Sequence, residues 1–155
     1  MLDTLDMAGR LTTAADLERF ALAGNARLTL RSKSTGTRFT YSVKQARFED
    51  GALNTQLYFV KVLTRPDNYD YLGLLRLVQG KWIFTHSPKS RISKEAPSCV
   101  AFSYVWRAVQ EDHASAFSKI EAWHEGRCGR CNRPLTVPES IERGIGPDCA
   151  EMMGM

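Results

Sequence analysis

Three cysteines near the end of the chain have the spacing of a metal site. Cys128 and Cys131 form a Cys-x-x-Cys pair, and Cys149 follows after 17 intervening residues. Zinc prefers a tetrahedral shell of thiolate and imidazole donors, and closed structural sites fill all four positions with protein ligands. His124 precedes the pair by four residues and is the nearest imidazole. We therefore predict one structural zinc ion on Cys128, Cys131, Cys149 and His124.

The residues around the cysteines have the turn chemistry that such a site needs. Asn132 follows the second cysteine, where a cysteine knuckle requires a residue that tolerates positive φ, and Asn is the next best choice after Gly. The run Gly144 to Asp148 predicts a tight turn into a short helix that begins at Cys149. A thiolate at such a helix start is favoured by the helix dipole.

The fourth ligand is less strongly indicated than the three cysteines. Treble-clef sites often have their last ligand three residues after the third cysteine, but here that position is Met152, and a thioether is a poor zinc ligand. His124 can instead be an exposed residue at a helix end that interacts with the dipole. The shell would then be completed by one of four other donors, namely Cys99, His113, His86 or water.

Other uses of the cysteines fit the sequence less well. A redox Cys-x-x-Cys usually opens a helix after a strand, whereas this pair follows a predicted helix and precedes a loop with Pro and Gly. A catalytic zinc would need an open position and a general base such as Glu125. The zinc-deaminase pattern is absent because Arg127, and not Pro, precedes Cys128. We find no nucleophile motif, phosphate loop or carboxylate pair, and we expect the protein not to be an enzyme.

The cysteine segment resembles a known family. The residues from Cys128 to Ala150 read Cys-Gly-Arg-Cys-Asn-Arg-Pro-Leu and end in Gly-Ile-Gly-Pro-Asp-Cys-Ala. This pattern is similar to that of DUF6011, a small uncharacterised zinc-binding module of phage and mobile-element proteins. The resemblance implies metal-ligand roles for the three cysteines and no activity. The region from Arg27 to Arg91 resembles uncharacterised phage proteins that carry such a tail.

The compartment follows from the termini and the apolar runs. Met1 to Asp6 contains two acids and no basic residues, so we expect no secretory signal. The longest apolar runs fall far short of the ~20 residues of a membrane helix, and we expect no membrane partner. A cytoplasmic location follows, that of the bacterial host if a phage encodes the chain. Thiols there bind metal more often than they form disulfides.

The elements that position these residues follow from periodicity. A first helical pattern spans residues 12–25, and a second begins at Pro97. Ile120 and Trp123 continue the spacing of the second pattern, which has a predicted break near Asp112. Period-two patterns predict five strands, at 27–33, 38–44, 57–63, 70–77 and 81–85. The fold class is therefore α+β: an antiparallel sheet of about five strands covered by helix, in residues 1–123. Residues 124–155 would form a treble-clef or zinc-ribbon-like module.

Positive charge is concentrated in the strand region. Residues 27–94 contain 13 Lys and Arg against four acids, a net charge of +9, while the whole chain carries +4. Arg and Lys alternate with Thr and Ser on one side of the first two strands, a surface suited to phosphate. We predict a nucleic-acid face at Arg27, Arg31, Lys33, Arg38, Lys44, Lys89 and Arg91.

Two functions from different classes remain compatible with the sequence. The first is nucleic-acid binding through this basic face, with a single strand as one candidate ligand. The alternative is a small protein-binding module without catalysis that inhibits or recruits a host protein, as anti-defence proteins do. The sequence does not determine the oligomeric state.

Overall fold

A seven-stranded antiparallel sheet forms the body of the protein. The structure, a computed structural model, describes residues 9–111, 116–135 and 138–155. The strand order across the sheet is β1-β7-β2-β3-β4-β5-β6, and all neighbours are antiparallel. The strands are β1 (Arg10–Leu11), β2 (Asn25–Ser32), β3 (Arg38–Arg47), β4 (Leu53–Arg65), β5 (Asn68–Val78), β6 (Lys81–His86) and β7 (Ile120–His124). Strands β2 to β6 therefore follow chain order, and β7 is inserted between β1 and β2.

The helices cover one face of this sheet. They are α1 (Ala14–Ala21), α2 (Pro97–Glu111), α3 (Ala116–Lys119), α4 (Pro138–Arg143) and α5 (Pro147–Met152). The buried residues of α1 and α2 belong to the same apolar cluster as the inward residues of the strands. The predicted α+β class, an antiparallel sheet covered by helix, is confirmed. Among the described residues, no helix is long and apolar enough to cross a membrane.

The hairpin of β2 and β3 has the two faces that its alternation predicts. Thr29 lies opposite Thr40, and their hydroxyls are 2.8 Å apart. Residues directly opposite each other in an antiparallel ladder point to the same side. Leu28 and its partner Tyr41 are fully buried on the side of the helices. The hairpin thus has one apolar face and one face of basic and hydroxyl side chains.

The number of strands differs from the predicted five because β1 and β7 were missed. β1 has only two residues, too few for a period-two pattern. Ile120 and Trp123 suggested a continuing helix, but residues Ile120–His124 form a strand with all five side chains buried. A strand that is buried on both faces loses the alternation of apolar and polar residues by which strands are recognised. The predicted helix break near Asp112 lies outside the described residues.

Arginines cover β7 on the face opposite the helices. Arg31 Nη2 donates a hydrogen bond of 3.1 Å to Glu121 Oε1, and Arg10 Nη1 lies 3.3 Å from Glu121 Oε2. The guanidinium of Arg38 stacks on the ring of Trp123, 4.8 Å from its centroid. These contacts explain how Glu121 and Trp123 are buried on a side of the sheet where the helices do not pack.

The C-terminal module shares a core with the sheet. Cys128, Ile145, Cys149 and Ala150 belong to the same buried cluster as the residues of β2, β3 and α1. The backbone N–H of Asn25 also donates a hydrogen bond of 2.8 Å to the carbonyl of Gly129. The division of the chain at residue 124 stays a prediction, but the two parts are joined by backbone and side-chain contacts.

We predict that Glu121→Gln lowers the free energy of unfolding by roughly 1–3 kcal/mol, because Arg10 and Arg31 lose their countercharge at a nearly buried position. Urea unfolding followed by circular dichroism measures this. Glu125→Gln is the matched control, since Glu125 is exposed just beyond β7. Equal stability of the two variants would contradict the placement of β7 in the sheet.

Candidate metal centre and basic sheet face

A cysteine knuckle follows directly after β7. Arg127 and Pro134 form an antiparallel bridge. Within it, Cys128 N–H donates to the carbonyl of Arg133, and Asn132 N–H donates to the carbonyl of Cys128, both at 2.9 Å. Asn132 has a φ of 65°, the left-handed conformation that its position in the sequence predicts. The knuckle therefore forms from the turn chemistry that the sequence indicated.

The knuckle and α5 bring three sulfurs together. The Sγ atoms of Cys128, Cys131 and Cys149 all lie within 4.8 Å of one another. Thiolates that share one zinc ion at 2.3 Å are about 3.8 Å apart, so the cluster fits a metal ion after a small contraction. Cys128 and Cys149 are buried, while Cys131 is exposed. These three cysteines can hold a metal ion between them.

Hydrogen-bond donors surround the buried sulfurs. Burial raises the pKa of the Cys128 thiol, but hydrogen bonds from backbone N–H groups outweigh this effect and lower the pKa. The N–H of Gly146 contributes most to this lowering. Burial raises the pKa of Cys149, against the opposing effect of Arg130. Arg130 Nη1 lies 3.6 Å from Cys149 Sγ and 3.4 Å from the Sδ of Met152. Donors thus favour the thiolate, the form that binds metal, at Cys128, whereas burial outweighs them at Cys149.

His124 does not join the cysteine cluster. Its Nδ1 accepts a hydrogen bond of 3.0 Å from the backbone N–H of Gly126, so Nε2 carries the proton and donates to the carbonyl of Ile141. Its ring lies against Phe20, with the centroids 5.6 Å apart. Proximity in sequence suggested a ligand, but His124 ends β7 with its side chain on the side of the helices. It is 3% exposed, so it is not an exposed helix-end residue either.

The other proposed fourth ligands lie elsewhere or are not described. His86 Nε2 is hydrogen-bonded to the carbonyl of Ile92 at 2.6 Å. Cys99 belongs to α2 and is buried in the apolar core, and this burial raises its pKa. His113 lies outside the described residues. Among the residues that the structure describes, no fourth His, Cys, Asp or Glu side chain joins the three cysteines.

His124 and Phe20 fasten the cysteine module to the sheet. Gly144 has a φ of +75°, and a Cβ atom there would lie 2.7 Å from Phe20 Cδ1 and 3.0 Å from His124 Cδ2. A Cβ atom at Gly129 would lie 2.8 Å from the same Phe20 atom. Both glycines are therefore needed for close approach of the loops to these rings. The sequence analysis did not predict that Phe20 and His124 pack against these loops. The glycines beside the cysteines, at positions 129 and 144, were the sequence feature that indicated such close packing.

The predicted basic residues of the hairpin share one face. Arg27 lies opposite Ser42, and Arg31 lies opposite Arg38 in the β2–β3 ladder. Lys44 follows two residues after Ser42 and points the same way. Lys44 and Arg38 are exposed, while Arg27 and Arg31 are half-buried. We call this side of the sheet the basic face, and the structure brings these four cations together on it.

The basic face extends over the next strands and curves inward. Ser42 lies opposite Lys61 of β4, which lies opposite Tyr71 of β5. The guanidinium of Arg27 on β2 stacks on Tyr69 of β5, 4.6 Å from the ring centroid, although β3 and β4 lie between. Three strand spacings correspond to about 14 Å in a flat sheet, so this contact fits a face that curves inward.

The loop after β6 continues this row of residues. Lys89 and Arg91 are exposed there, and between them Ser90 Oγ donates a hydrogen bond of 2.6 Å to the carbonyl of Tyr71. This bond places the loop at the outer side of β5, at the end of the row that begins with Arg27. The two cations therefore border the basic face and do not lie on it.

Lys33 is engaged with the chain itself. It follows β2, and its Nζ donates a hydrogen bond of 2.8 Å to the carbonyl of Phe117 in α3. Its backbone N–H also donates to the carbonyl of Lys119 at 2.9 Å. The Lys33 ammonium group is thus already engaged in a hydrogen bond within the chain and is less free to approach a ligand on the basic face.

We predict that the His124 ring titrates below its ordinary pKa of about 6.5, since burial disfavours the charged form. The unfolded chain then binds the proton more tightly, so the folded state loses stability as the pH falls below about 6.5 through the lowered pKa. Long-range ¹⁵N NMR of the metal-loaded protein measures the pKa and identifies Nδ1 as the unprotonated nitrogen. A ring that fails to titrate, with a metal-shifted nitrogen resonance, would place His124 in the metal shell.

Comparison with known families supports the predicted nature of the C-terminal segment. The family DUF6011, described as a family of unknown function, matches residues 121–154 of this chain. The matched part begins in β7 and contains the three clustered cysteines, so the chain carries a DUF6011 module at its C-terminal end. Curated proteins and solved structures give no match.

Proposed function

We propose that this protein binds single-stranded nucleic acid on the basic face of its sheet, and that a structural zinc ion on Cys128, Cys131 and Cys149 holds its C-terminal module. The observation that carries the proposal is the concave combination of cations and aromatic rings on one side of the sheet. Arg27 stacked on Tyr69 is its clearest instance. The protein acts by binding and not by catalysis.

Except for Arg31, the cations of the basic face are available for phosphate groups. Glu121 is an acidic residue on this face, and Arg10 and Arg31 already neutralise it. Among the described residues, no carboxylate forms an ion pair with Arg27 or Lys61. Cations without a protein partner release counterions from a nucleic acid most effectively, which favours binding.

The aromatic rings on the same face favour unpaired bases. Tyr69 and Tyr71 are half-buried, and Phe59, 38% exposed, lies 6.1 Å from Tyr71 between ring centroids. Stacking of one base on such a ring contributes about 1–3 kcal/mol, and it requires a base that is free of its own stack. A duplex cannot present its bases in this way. The combination therefore supports a single strand as the ligand.

The metal part of the proposal rests on the cysteine cluster. Three thiolates form a soft donor set, which in a reducing compartment selects zinc over magnesium or calcium. The resemblance to phage and mobile-element proteins supports an origin in such an element, acting in the cytoplasm of a bacterial host. Single-stranded nucleic acid is a ligand that such elements expose during replication or transfer.

We expect fluorescence anisotropy with a labelled single-stranded DNA to show binding that weakens steeply between about 50 and 200 mM salt. A duplex of the same sequence should bind more weakly, because it lacks free bases. Arg27→Ala and Lys44→Ala should each lower the salt slope by about 0.7, the loss of one phosphate contact with a single strand. Arg107→Ala, at an exposed position of α2, is the matched control and should leave both quantities unchanged.

Three results would contradict this function. They are the absence of binding at about 50 mM salt, binding without salt dependence, and equal losses in the Arg27→Ala and Arg107→Ala variants. The first two would exclude an electrostatic phosphate contact. The third would place the contact away from the basic face.

A second candidate function, binding of a host protein, is favoured by one feature on the other side of the sheet. Val100 and Tyr104 of α2 are 52% and 41% exposed, and they line a largely apolar groove of about 970 Å³ together with Leu30 and Phe39. Exposed apolar residues around a groove are typical of protein-binding surfaces. Failure of the nucleic-acid titration at low salt would leave this groove as the best-supported binding surface.

A further inference from the structure

A cavity opens directly onto the three clustered sulfurs. It has a volume of about 420 Å³ and is lined by the cysteines, by Arg130, Arg133 and Leu135 of the knuckle, and by Pro147 of α5. Cavities of roughly 300–1,000 Å³ are the usual size of small-molecule sites. Cys131 is exposed at this cavity, so solvent molecules can reach the position of a metal ion.

The described chain offers a metal ion three ligands and no fourth. His124 and His86 have ring nitrogens bonded to backbone groups, and Cys99 lies in the core. Asp148 lines the cavity, but its carboxylate lies outside the cluster. Met152 presents a thioether, which is a poor zinc donor. A zinc ion with three protein ligands keeps its fourth position for a molecule from solution.

The charges around the cavity allow an anionic donor at that position. Three thiolates on one Zn²⁺ ion leave an excess negative charge, which a further anion increases. Arg130 and Arg133 line the cavity, and Asp148 is the acidic residue that opposes them there. Arg130 already faces the shell, with Nη1 3.6 Å from Cys149 Sγ. The two guanidinium groups thus balance the charge of the three-thiolate shell and of Asp148, so an added anion meets no net negative charge in the cavity.

We propose that a zinc ion on Cys128, Cys131 and Cys149 keeps its fourth position open to this cavity and binds a small thiolate from solution there. A lone pair of the thiolate sulfur forms the zinc–sulfur bond as a water molecule leaves, and the proton of the thiol goes to the buffer. No group is oxidised or reduced. The inference rests on the metal part of the proposed function and is independent of nucleic-acid binding.

X-ray absorption at the zinc edge of the full-length, zinc-loaded protein tests the inference, after the metal content has been measured on the same sample. We expect one zinc ion per chain, with three sulfur scatterers and one oxygen. Millimolar 2-mercaptoethanol should convert this shell to four sulfurs. Arg133→Gln should raise the half-saturating thiol concentration several-fold, whereas Arg107→Gln on α2 should leave it unchanged, since only the first residue lines the cavity.

An imidazole in the first shell, four sulfurs before thiol is added, or a shell that thiol does not change would each overturn the open position. Equal effects of Arg133→Gln and Arg107→Gln would overturn the part played by the charge of the cavity. A chain that binds no zinc would overturn the metal centre itself. The metal content separates this last result from the others, which concern the fourth ligand alone.

Discussion

The pairing of β7 with β1 along one edge and with β2 along the other fixes both candidate sites at once. On the side of the helices, β7 ends in His124, which is buried against Phe20 and leads directly into the cysteine knuckle. On the opposite side, Glu121 and Trp123 lie beneath Arg31 and Arg38 and organise this end of the basic face. A strand of five residues therefore connects the cysteine cluster to the surface that we propose for nucleic acid.

This connection affects how much stability a bound metal ion would contribute to the C-terminal module. A module of some thirty residues has too little apolar core to fold by itself, and a metal ion then supplies the missing stability. Here the module also buries Cys128, Ile145 and Ala150 within the core of the sheet. Phe20 and His124 hold its loops through the close approach of Gly129 and Gly144. A metal ion bound to the three cysteines would order the ends of the knuckle and α5, while the sheet already holds their base.

Much of the fold could be predicted from the sequence because its patterns were local. The β2–β3 hairpin follows from strict alternation, and the knuckle follows from cysteine spacing and from Asn132, whose φ is positive. β7 could not be predicted, since burial on both faces removes alternation and leaves Ile120 and Trp123 at a helix-like spacing. The role of His124 depends on partners 17 or more residues away in the chain, such as Ile141 and Phe20, which spacing alone does not reveal.

The inward curvature of the basic face could not be predicted from the sequence either. Strand patterns indicate which side a residue points to, but not how far a sheet bends. Tyr69 follows a turn and carries no signal that it would meet Arg27 across two intervening strands. The aromatic strand residues accordingly divide between the two sides: Tyr58 is buried on the side of the helices, whereas Tyr69 lies on the basic face.

Hydrogen exchange with and without metal tests most directly whether β7 joins the two sites as a strand of the sheet. We expect peptides covering Ile120–His124 to exchange as slowly as those of β2 in the zinc-loaded protein. Removal of the metal with a chelator should speed exchange in residues 128–150 and leave β7 protected, because the sheet holds this strand independently of the cysteines. Fast exchange in β7 with metal bound, or loss of its protection together with the cysteine segment on chelation, would contradict this role of β7.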